Sequence, residues 1–257
     1  MKKIVMVLIA MSLLNCKKDK EQTKTIEKEQ TKTEQTEQAK TEVEATTKET
    51  WPTKDWVSLF DGTSMDNWRG YGTETMHPEW TIEGDAMAFT PSKEGGKNII
   101  SKNKYINFRL SLEWKISENG NSGIFWGVHE DEKYSEAYQT GPEIQVLDNN
   151  GHPDAKFPTH RAGSLYDMIE CPGEHVNPAG EWNWVVLEVN HDTNLGKVTM
   201  NGKEVMTFPV HGEAWDEMVE NSKFKGWEGF GNYRTGHIGL QDHSDKVWYK
   251  NIKIKEL

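Results

Sequence analysis

One stretch decides the fold class of this chain: KVTMNGKEVM, residues 197–206. Its centre, Asn201-Gly202, is a pair that two-residue β-hairpin turns favour, because both turn positions require a positive φ. Valine, threonine and methionine flank the pair, as they do in the strands of a hairpin. The stretch therefore predicts two antiparallel strands joined by a tight turn.

Similar short apolar runs, separated by Gly, Asn, Asp and Pro, continue along the chain. Clear examples are residues 108–114, 123–128, 184–189 and 237–241. This pattern is typical of strands joined by turns, whereas helical periodicity is weak and confined to residues 214–222. About 200 residues of short strands with no helix to cover a sheet predict an all-β domain of two sheets packed face to face, a β-sandwich.

Residues 1–16, MKKIVMVLIAMSLLNC, have the features of a bacterial signal peptide. A basic start precedes an apolar run that is too short to span a bilayer permanently. The last four residues resemble a lipoprotein lipobox, so we predict that Cys16 is lipidated; the alternative is an ordinary signal peptide with an incidental cysteine. Lipidation would attach the protein to the membrane through the lipid alone, on the periplasmic face or cell surface of the outer membrane of a Gram-negative bacterium.

Residues 17–50 are almost wholly Lys, Glu, Thr and Gln, with eight lysines against nine acidic residues. So polar a segment buries too little apolar surface to offset its ordering entropy, and we predict a disordered tether. All 11 Trp and all nine His follow it, so residues 51–257 form the predicted β-sandwich catalytic domain.

Residues 1–16 carry a net charge of +2 and residues 17–50 of −1, so the chain's −11 leaves about −12 on residues 51–257. Nucleic acid is therefore a poor candidate partner, because phosphate binding needs clustered Lys and Arg. Cys171 has no partner once Cys16 is lipidated, so we expect a packed thiol and no intramolecular disulfide. The sequence carries no signal for an oligomeric state.

The stretch GPEIQVLDNNG, residues 141–151, is a strand with acidic and amide residues on one face. Alternation directs Ile144 and Val146 to the core and Glu143 and Gln145 outward. In residues 121–129 the same rule assigns Ile124, Trp126 and Val128 to the core face, and in residues 237–243 it assigns Ile238 and Leu240 to the core and His237 to the opposite face. It places five further side chains on non-core faces: Asn121, Phe125, His129, Gln241 and His243. If these strands are neighbours, they line a concave sheet face that can hold a carbohydrate.

Seven segments, in order, resemble the signature segments of the 3-keto-disaccharide hydrolase domain family, and the similarity extends over nearly all of residues 56–257. They are LFDGTSMDNW (59–68), WTIEGDAM (80–87), NSGIFW (121–126), GPEIQVLDN (141–149), GSLYDMI (163–169), GEWN (180–183) and GHIGLQDHSDKVWYKNIKIKEL (236–257). The resemblance implies a concanavalin A-like, laminarinase-type β-jelly roll, common in lipoproteins of polysaccharide-degrading bacteria. It also implies cleavage of glycosides that carry a ketone at C3 of the sugar, with a carbohydrate as substrate and no organic cofactor.

A ketone at C3 acidifies the C2 proton, and the glycosidic oxygen on C1 is then β to the carbonyl. Abstraction of the C2 proton, elimination of the C1 aglycone and hydration of the product together give a net hydrolysis. The site needs a general base near C2, a cationic or hydrogen-bonding group at the C3 oxygen, and an acid for the leaving oxygen. The candidate catalytic residues are Glu143, Asp148, His243 and Tyr166, with Glu143 as the first choice for the base.

Five residues are candidates for substrate binding: Asn121, Gln145 and Gln241 for sugar hydroxyls, Phe125 for stacking on a sugar ring, and His129. One divalent cation, Ca, Mn or Zn, would serve well at the C3 oxygen, with Glu143 and His243 as ligands. No His-x-x-x-His, cysteine-pair or calcium-loop spacing occurs, so such a site would be assembled from separate strands.

Two other functions stay open at this point. A non-catalytic carbohydrate-binding module of the same fold would use the aromatic and amide groups and leave Glu143 dispensable. A conventional laminarinase-type endo-glycosidase would use a Glu-x-Asp-x-x-Glu strand, which here reads Glu143-x-Gln145-x-x-Asp148. The shorter Asp148 and the uncharged Gln145 disfavour retaining hydrolysis, which needs two carboxyls about 5 Å apart. Asp148 also begins the turn Asp-Asn-Asn-Gly, where Asp commonly accepts backbone hydrogen bonds.

Overall fold

The computed structural model describes residues 55–93 and 97–257. The segments predicted as signal peptide and tether, including Cys16, lie outside the described residues. Within those ranges the chain forms strands β1 (Val57–Phe60), β2 (Trp68–Gly70), β3 (Trp80–Glu83), β4 (Ala86–Phe89), β5 (Ile99–Tyr105), β6 (Phe108–Ile116), β7 (Asn121–Val128), β8 (Glu143–Leu147), β9 (Asn183–Asn190), β10 (Leu195–Met200), β11 (Lys203–Phe208), β12 (Gly236–Leu240) and β13 (Val247–Glu256), and one α-helix, α1 (Glu213–Glu220).

The strands form two antiparallel sheets. The larger sheet has the order β11-β10-β9-β6-β13-β4-β3, and β1 also pairs with β13. Both β4 and β1 fit on one edge of β13 because β4 pairs near its start and β1 near its end. The smaller sheet has the order β2-β5-β12-β7-β8. The chain is thus an all-β jelly-roll sandwich, as predicted.

The main core lies between the two sheets. Ile144 and Val146 of β8 and Ile238 and Leu240 of β12 are buried in it, which confirms the predicted inward faces of both strands. The larger sheet contributes aromatic side chains to the same core, among them Tyr249. Because these inward positions are fixed, the alternate residues of β8 and β12 lie on the outer face of the smaller sheet.

The hairpin of residues 197–206 is confirmed. Asn201 and Gly202 have φ values of 48° and 83°, and Met200 pairs with Lys203 across the turn. The weak helical pattern near residue 214 corresponds to α1, whose eight residues bury Trp215. No helix in the described ranges combines the length and apolar character that a membrane span requires. Cys171 is a buried free thiol, and burial raises its pKa to about 12, as expected of a packed cysteine.

Strand β7 departs from the predicted alternation near its end. Gly127 has a φ of 63°, and between β12 and β7 the register shifts by one residue at this point. This bulge rotates the chain, so Val128 packs beside Phe125 in a small apolar cluster on the outer side of the sheet. The assignment of Val128 to the core face with Ile124 and Trp126 was therefore wrong.

Candidate active site

The outer face of the smaller sheet brings together polar side chains from three neighbouring strands, β12, β7 and β8. The strand pairing aligns them in two rows, Gln241–Gly123–Gln145 and Gly239–Phe125–Glu143. The predicted polar faces of these strands are thus adjacent. Each row contains a glycine, so the side-chain layer is thinnest at those two positions and leaves room above the backbone.

Glu143 fills part of the space above Gly123. A Cβ atom at position 123 would lie 2.0 Å from Glu143 Oε1 and 2.6 Å from its Cδ. The carboxyl group therefore lies flat across the neighbouring strand and can do so only because residue 123 has no side chain. Its side chain is 6% exposed, so this acid is buried although it lies on the outer face.

Burial raises the pKa of Glu143 from its usual 4.5 to about 8. The positive charge of Lys223 lowers that pKa, and the negative charge of Asp154 raises it, but desolvation is the largest effect. No hydrogen bond to the carboxylate contributes within the described residues. A carboxyl group that is desolvated and has no donor is a stronger base than a solvated one once it loses its proton.

The segment after β8 returns along the free edge of that strand. Gln145 N donates to Ser164 O (3.0 Å), Gly163 N donates to Gln145 O (2.8 Å), and Tyr166 N donates to Glu143 O (3.0 Å). These bonds add a short piece of backbone to the sheet. They fix Tyr166 directly beside Glu143, which explains why two distant parts of the sequence contribute to one site.

A polar network supports Tyr166. Its hydroxyl donates to Asp154 Oδ2 (3.2 Å), and His160 Nδ1 is 3.4 Å from the same oxygen without forming a hydrogen bond. The other ring nitrogen, His160 Nε2, is 2.6 Å from Asp167 Oδ1. Burial and the nearby carboxylates of Asp154 and Glu143 raise the pKa of Tyr166, so its hydroxyl keeps its proton and acts as a donor.

Lys223 brings a positive charge to the same place. Its backbone N–H donates to Asp167 Oδ2 (2.6 Å), and its Nζ lies 4.0 Å from the centre of the Tyr166 ring. Desolvation lowers the pKa of this lysine, while the carboxylates of Glu143, Asp167 and Asp154 oppose that shift. The ammonium group of Lys223 therefore acts electrostatically on the buried carboxyl group of Glu143.

Two amide side chains on this face have a free acceptor. Gln241 Oε1 and Asn121 Oδ1 are buried and have no hydrogen-bond partner among residues 55–93 and 97–257. A third amide, Gln145, accepts from Val146 N (3.1 Å) through Oε1. Buried amide oxygens without a partner are costly, and a ligand that brings hydroxyl groups would satisfy them. The two free acceptors favour the sugar-binding role predicted for Asn121 and Gln241, which stays a prediction, as it does for Gln145.

Phe125 and His129 do not lie open to this face. Phe125 is 0% exposed and packs with Ile100 and Val128, so it has no surface to offer a sugar ring, and we correct the expectation of direct stacking. The ring is covered instead by the turn that contains Ala137. His129 follows the bulge and stacks on Tyr233 with 3.9 Å between ring centres, and no contact joins it to Glu143.

Asp148 is engaged in the turn after β8. Its Oδ2 accepts from Asn119 N (2.8 Å) and its Oδ1 from Asn150 N (3.0 Å). Both oxygens are thus bound to backbone amides, as the turn interpretation predicts. Because Asp148 lies five positions after Glu143, an odd offset, regular alternation would also place the two side chains on opposite faces.

His243 lies on an exposed stretch after β12 and meets His152 edge-to-face at 6.5 Å. The described residues contain no group of three or more His, Cys, Asp or Glu side chains that could hold a metal ion. Glu143 and His243 are therefore not accompanied there by a third ligand of these types. The donor set therefore does not fit the expected cation.

Four charged or titratable residues of the site were missed from the sequence: Asp154, His160, Asp167 and Lys223. Three of them lie outside the segments that resemble the family, so no motif marked them. Asp167 had a signal, because it follows Tyr166 inside GSLYDMI. Its φ of 63° is uncommon for a residue other than glycine, and its carboxylate links His160 to the Lys223 backbone.

Comparison with known families matches residues 55–255 to the 3-keto-alpha-glucoside-1,2-lyase-like domain. A 3-keto-disaccharide hydrolase of Bacteroides thetaiotaomicron is 35% identical over 229 residues, which cover 79% of this chain and 78% of that protein. The family match over residues 55–255 includes the whole candidate site.

Two crystal structures of candidate glycosyl hydrolases from Parabacteroides distasonis are also similar. The first has a TM-score of 0.73 and 27% identity, over 80% of this chain and 95% of the other. The second has a TM-score of 0.60 and 23% identity, over 79% of this chain and 99% of the other, and supports the fold alone.

Proposed function

The chain belongs to the 3-keto-alpha-glucoside-1,2-lyase-like domain family, and from this premise we propose that it cleaves 3-keto-glycosides by elimination and hydration. The family and the hydrolase relative support a glycoside-acting enzyme. One observation carries the finer proposal: a buried carboxyl group without a hydrogen-bond donor, Glu143, lies in the field of a single ammonium group, Lys223.

Glu143 acts as the general base in this proposal. Its carboxylate removes the proton from C2 of the 3-keto sugar, and the electrons of the C–H bond move toward the C3 carbonyl to give an enolate. A catalytic base works best when its pKa lies near the working pH. The raised pKa of Glu143, about 8, meets that requirement, whereas an ordinary carboxylate near 4.5 would be a weak base for carbon acids.

Lys223 stabilises the negative charge that develops on the C3 oxygen. A fixed cation lowers the energy of an enolate more than that of the neutral ketone, and this difference accelerates the reaction. Contact with the Tyr166 ring and the backbone bond to Asp167 hold the lysine in position before the substrate arrives. The preorganised position avoids a reorganisation cost during the reaction.

Elimination then breaks the bond between C1 and the glycosidic oxygen and forms a C1–C2 double bond. Glu143 is now a carboxylic acid, the form that its burial favours, and we assign to it the return of the proton to the departing oxygen. Water adds at C1 of the unsaturated ketone while C2 regains a proton. The sum is hydrolysis, with no change in oxidation state and no covalent enzyme intermediate.

The amides and Tyr166 orient the sugar. Gln241 and Asn121 each have an unpartnered acceptor oxygen for a substrate hydroxyl, and Gln145 lies in the same row as Gln241. Tyr166, held as a donor, stands beside the base. In this arrangement Asp148 maintains the turn and takes no part in proton transfer.

A kinetic isotope effect tests the proposal. The protein is incubated with a 3-keto-disaccharide, with the same compound deuterated at C2, and with the unoxidised disaccharide. We expect turnover of the keto compounds only, a primary isotope effect for the deuterated one, and a loss of about 10²- to 10⁴-fold in kcat for Glu143→Gln. Turnover of the unoxidised sugar without an isotope effect would refute elimination and favour a conventional glycosidase.

Binding without turnover would instead favour a carbohydrate-binding module. Such a module needs the unpartnered amides but gains nothing from a buried carboxyl group, which is expensive to desolvate. Glu143→Gln would then leave both the affinity and the absent turnover unchanged. The same variant therefore separates the catalytic function from the binding function.

We also propose that Cys16 is lipidated and that the lipid holds the domain at the outer membrane. The support is the sequence of residues 1–16 alone. Incorporation of radiolabelled palmitate should be abolished by Cys16→Ser. Labelling that persisted in this variant would contradict lipidation at that cysteine.

A further inference from the structure

Two exposed aromatic side chains form a pair at the rim of the candidate site. Tyr138 is 38% exposed and Trp227 36% exposed, and their ring centres lie 6.0 Å apart at an angle of 45°. They come from different loops, one before β8 and one before β12. Exposed aromatic pairs on a polar surface commonly mark a place where a ligand binds.

The loop that carries Tyr138 is fixed to the outer face of the smaller sheet. Ala137, the preceding residue, is buried against the cluster that contains Phe125 and Val128. A side chain at Gly141 would meet Val128 Cγ2 at 2.7 Å, so the chain lies tightly on the sheet there. Tyr138 is therefore presented from a rigid turn whose base adjoins the row that contains Glu143.

The loop that carries Trp227 packs on Phe224, the residue that follows Lys223. Trp227 packs edge-on against Phe224, with 5.3 Å between ring centres, and Phe224 in turn stacks on Phe230 at 3.8 Å. Phe224 follows Lys223 in sequence and meets the Tyr166 ring edge-on at 6.4 Å. The aromatic contacts thus run without a break from the site to the exposed Trp227.

A backbone hydrogen bond joins the two loops, since Gly231 N donates to Thr140 O (2.9 Å). The pair is consequently preorganised, and neither ring has to be ordered when a ligand binds. The pair is linked through Phe224 to the Tyr166 ring of the site, and this position suits the part of a substrate that is attached to the reacting sugar. That part is the group on C1 that leaves during elimination.

We propose that Tyr138 and Trp227 form the binding platform for a ring-shaped leaving group of the substrate. The inference rests on the proposed function, because it places the keto sugar at Glu143. A flat ring with an apolar face, either the second sugar of a disaccharide or an aryl group, stacks on this platform. The enzyme therefore prefers substrates whose leaving group is a ring over those with a small alkyl group.

Three substrates test the platform: a methyl, a phenyl and a glucosyl 3-keto-glucoside. For Tyr138→Ala and Trp227→Ala we expect kcat/KM to fall roughly 3- to 10-fold with a ring-bearing substrate, the size of an aromatic stacking contribution. The kcat/KM for the methyl compound should change by less than about 2-fold, because a methyl group cannot stack on an aromatic ring. Trp227→Phe should restore most of the loss, and whichever ring-bearing substrate responds identifies the leaving group.

The matched control is Ile82→Ala, which removes an equally exposed apolar side chain, 38%, from the larger sheet. If Tyr138→Ala and Trp227→Ala had the same kcat/KM as this control with all three substrates, the platform would be overturned. If the wild-type protein turned over none of them, the proposed function would fail, and the platform would be judged by calorimetric titration with the disaccharide. Weaker binding by Trp227→Ala than by Ile82→Ala would support it, and equal binding would overturn it.

Discussion

Replacement of Glu143 by glutamine should make the protein more stable as well as inactive. The carboxyl group is 6% exposed and has a pKa of about 8, so the folded state resists its ionisation while the unfolded chain does not. Glutamine has nearly the same shape but carries no ionisable proton. The variant therefore removes the penalty of ionisation and leaves the packing over Gly123 intact.

The size of the effect follows from the two pKa values. Below about pH 4.5 the carboxyl is protonated in both states and contributes no pH dependence. Between about pH 4.5 and 8 it is ionised only in the unfolded chain, so wild-type stability falls by ~1.4 kcal/mol for each pH unit. The accumulated loss at pH 7 is about 3 kcal/mol, and it reaches its limit above pH 8.

Urea unfolding at a series of pH values measures this. The difference in unfolding free energy between Glu143→Gln and wild type should grow in favour of the variant by about 3 kcal/mol from pH 4.5 to pH 7. Any constant cost of burying the amide cancels, because only the change with pH is used. Glu132→Gln, which removes a carboxyl from an exposed loop, controls for the loss of one charge. A difference that did not vary with pH would refute the claim that the Glu143 carboxyl is desolvated. It would also remove the explanation of its basicity.

The remaining predictions concern activity and, for one variant, stability. The kcat/KM for a 3-keto-glycoside should rise with pH through about 8, because the base must be ionised. Lys223→Met should move this rise to higher pH, because it removes the charge that lowers the Glu143 pKa. Gly123→Ala should cost about 10²-fold in kcat by displacing the carboxylate, whereas Gly173→Ala, where a Cβ meets nothing within 4 Å, should have no effect. Asp148→Ala should destabilise the protein by about 1–3 kcal/mol, as denaturation would show, while the activity of the folded fraction is retained. A chelator should leave turnover unchanged; a loss that one divalent ion restored would give the role of Lys223 to a metal.

The fold was predictable where local sequence determines structure. The Asn201-Gly202 turn and the inward faces of β8 and β12 depend on residues close in sequence, so alternation and turn chemistry were sufficient. The face of Val128 was not predictable in this way. It depends on the bulge at Gly127, where the positive φ is evident only once β7 is paired with β12.

The site was predictable for side chains on strands and for Tyr166, which lies in a segment that resembles the family. Glu143, Gln145 and Gln241 share a face because strand alternation and pairing place them there. Lys223 comes close to Glu143 through a loop whose position depends on aromatic packing and on the Asp167 carboxylate. Such contacts join residues far apart in sequence, and no spacing rule in a single chain encodes them.

The arrangement of charges also favours the proposed elimination over retaining hydrolysis. A retaining glycosidase needs two carboxyls that both face the anomeric carbon. Here the second carboxyl of the strand motif, Asp148, has both oxygens bound to backbone amides, and Asp154 accepts from Tyr166. Among the carboxyls of the site in the described residues, Glu143 is the one that burial keeps from ionising, and Lys223 acts on it electrostatically. A base and a cation match the requirements of the proposed enolate, which forms at C2 and C3 and needs no nucleophile at C1.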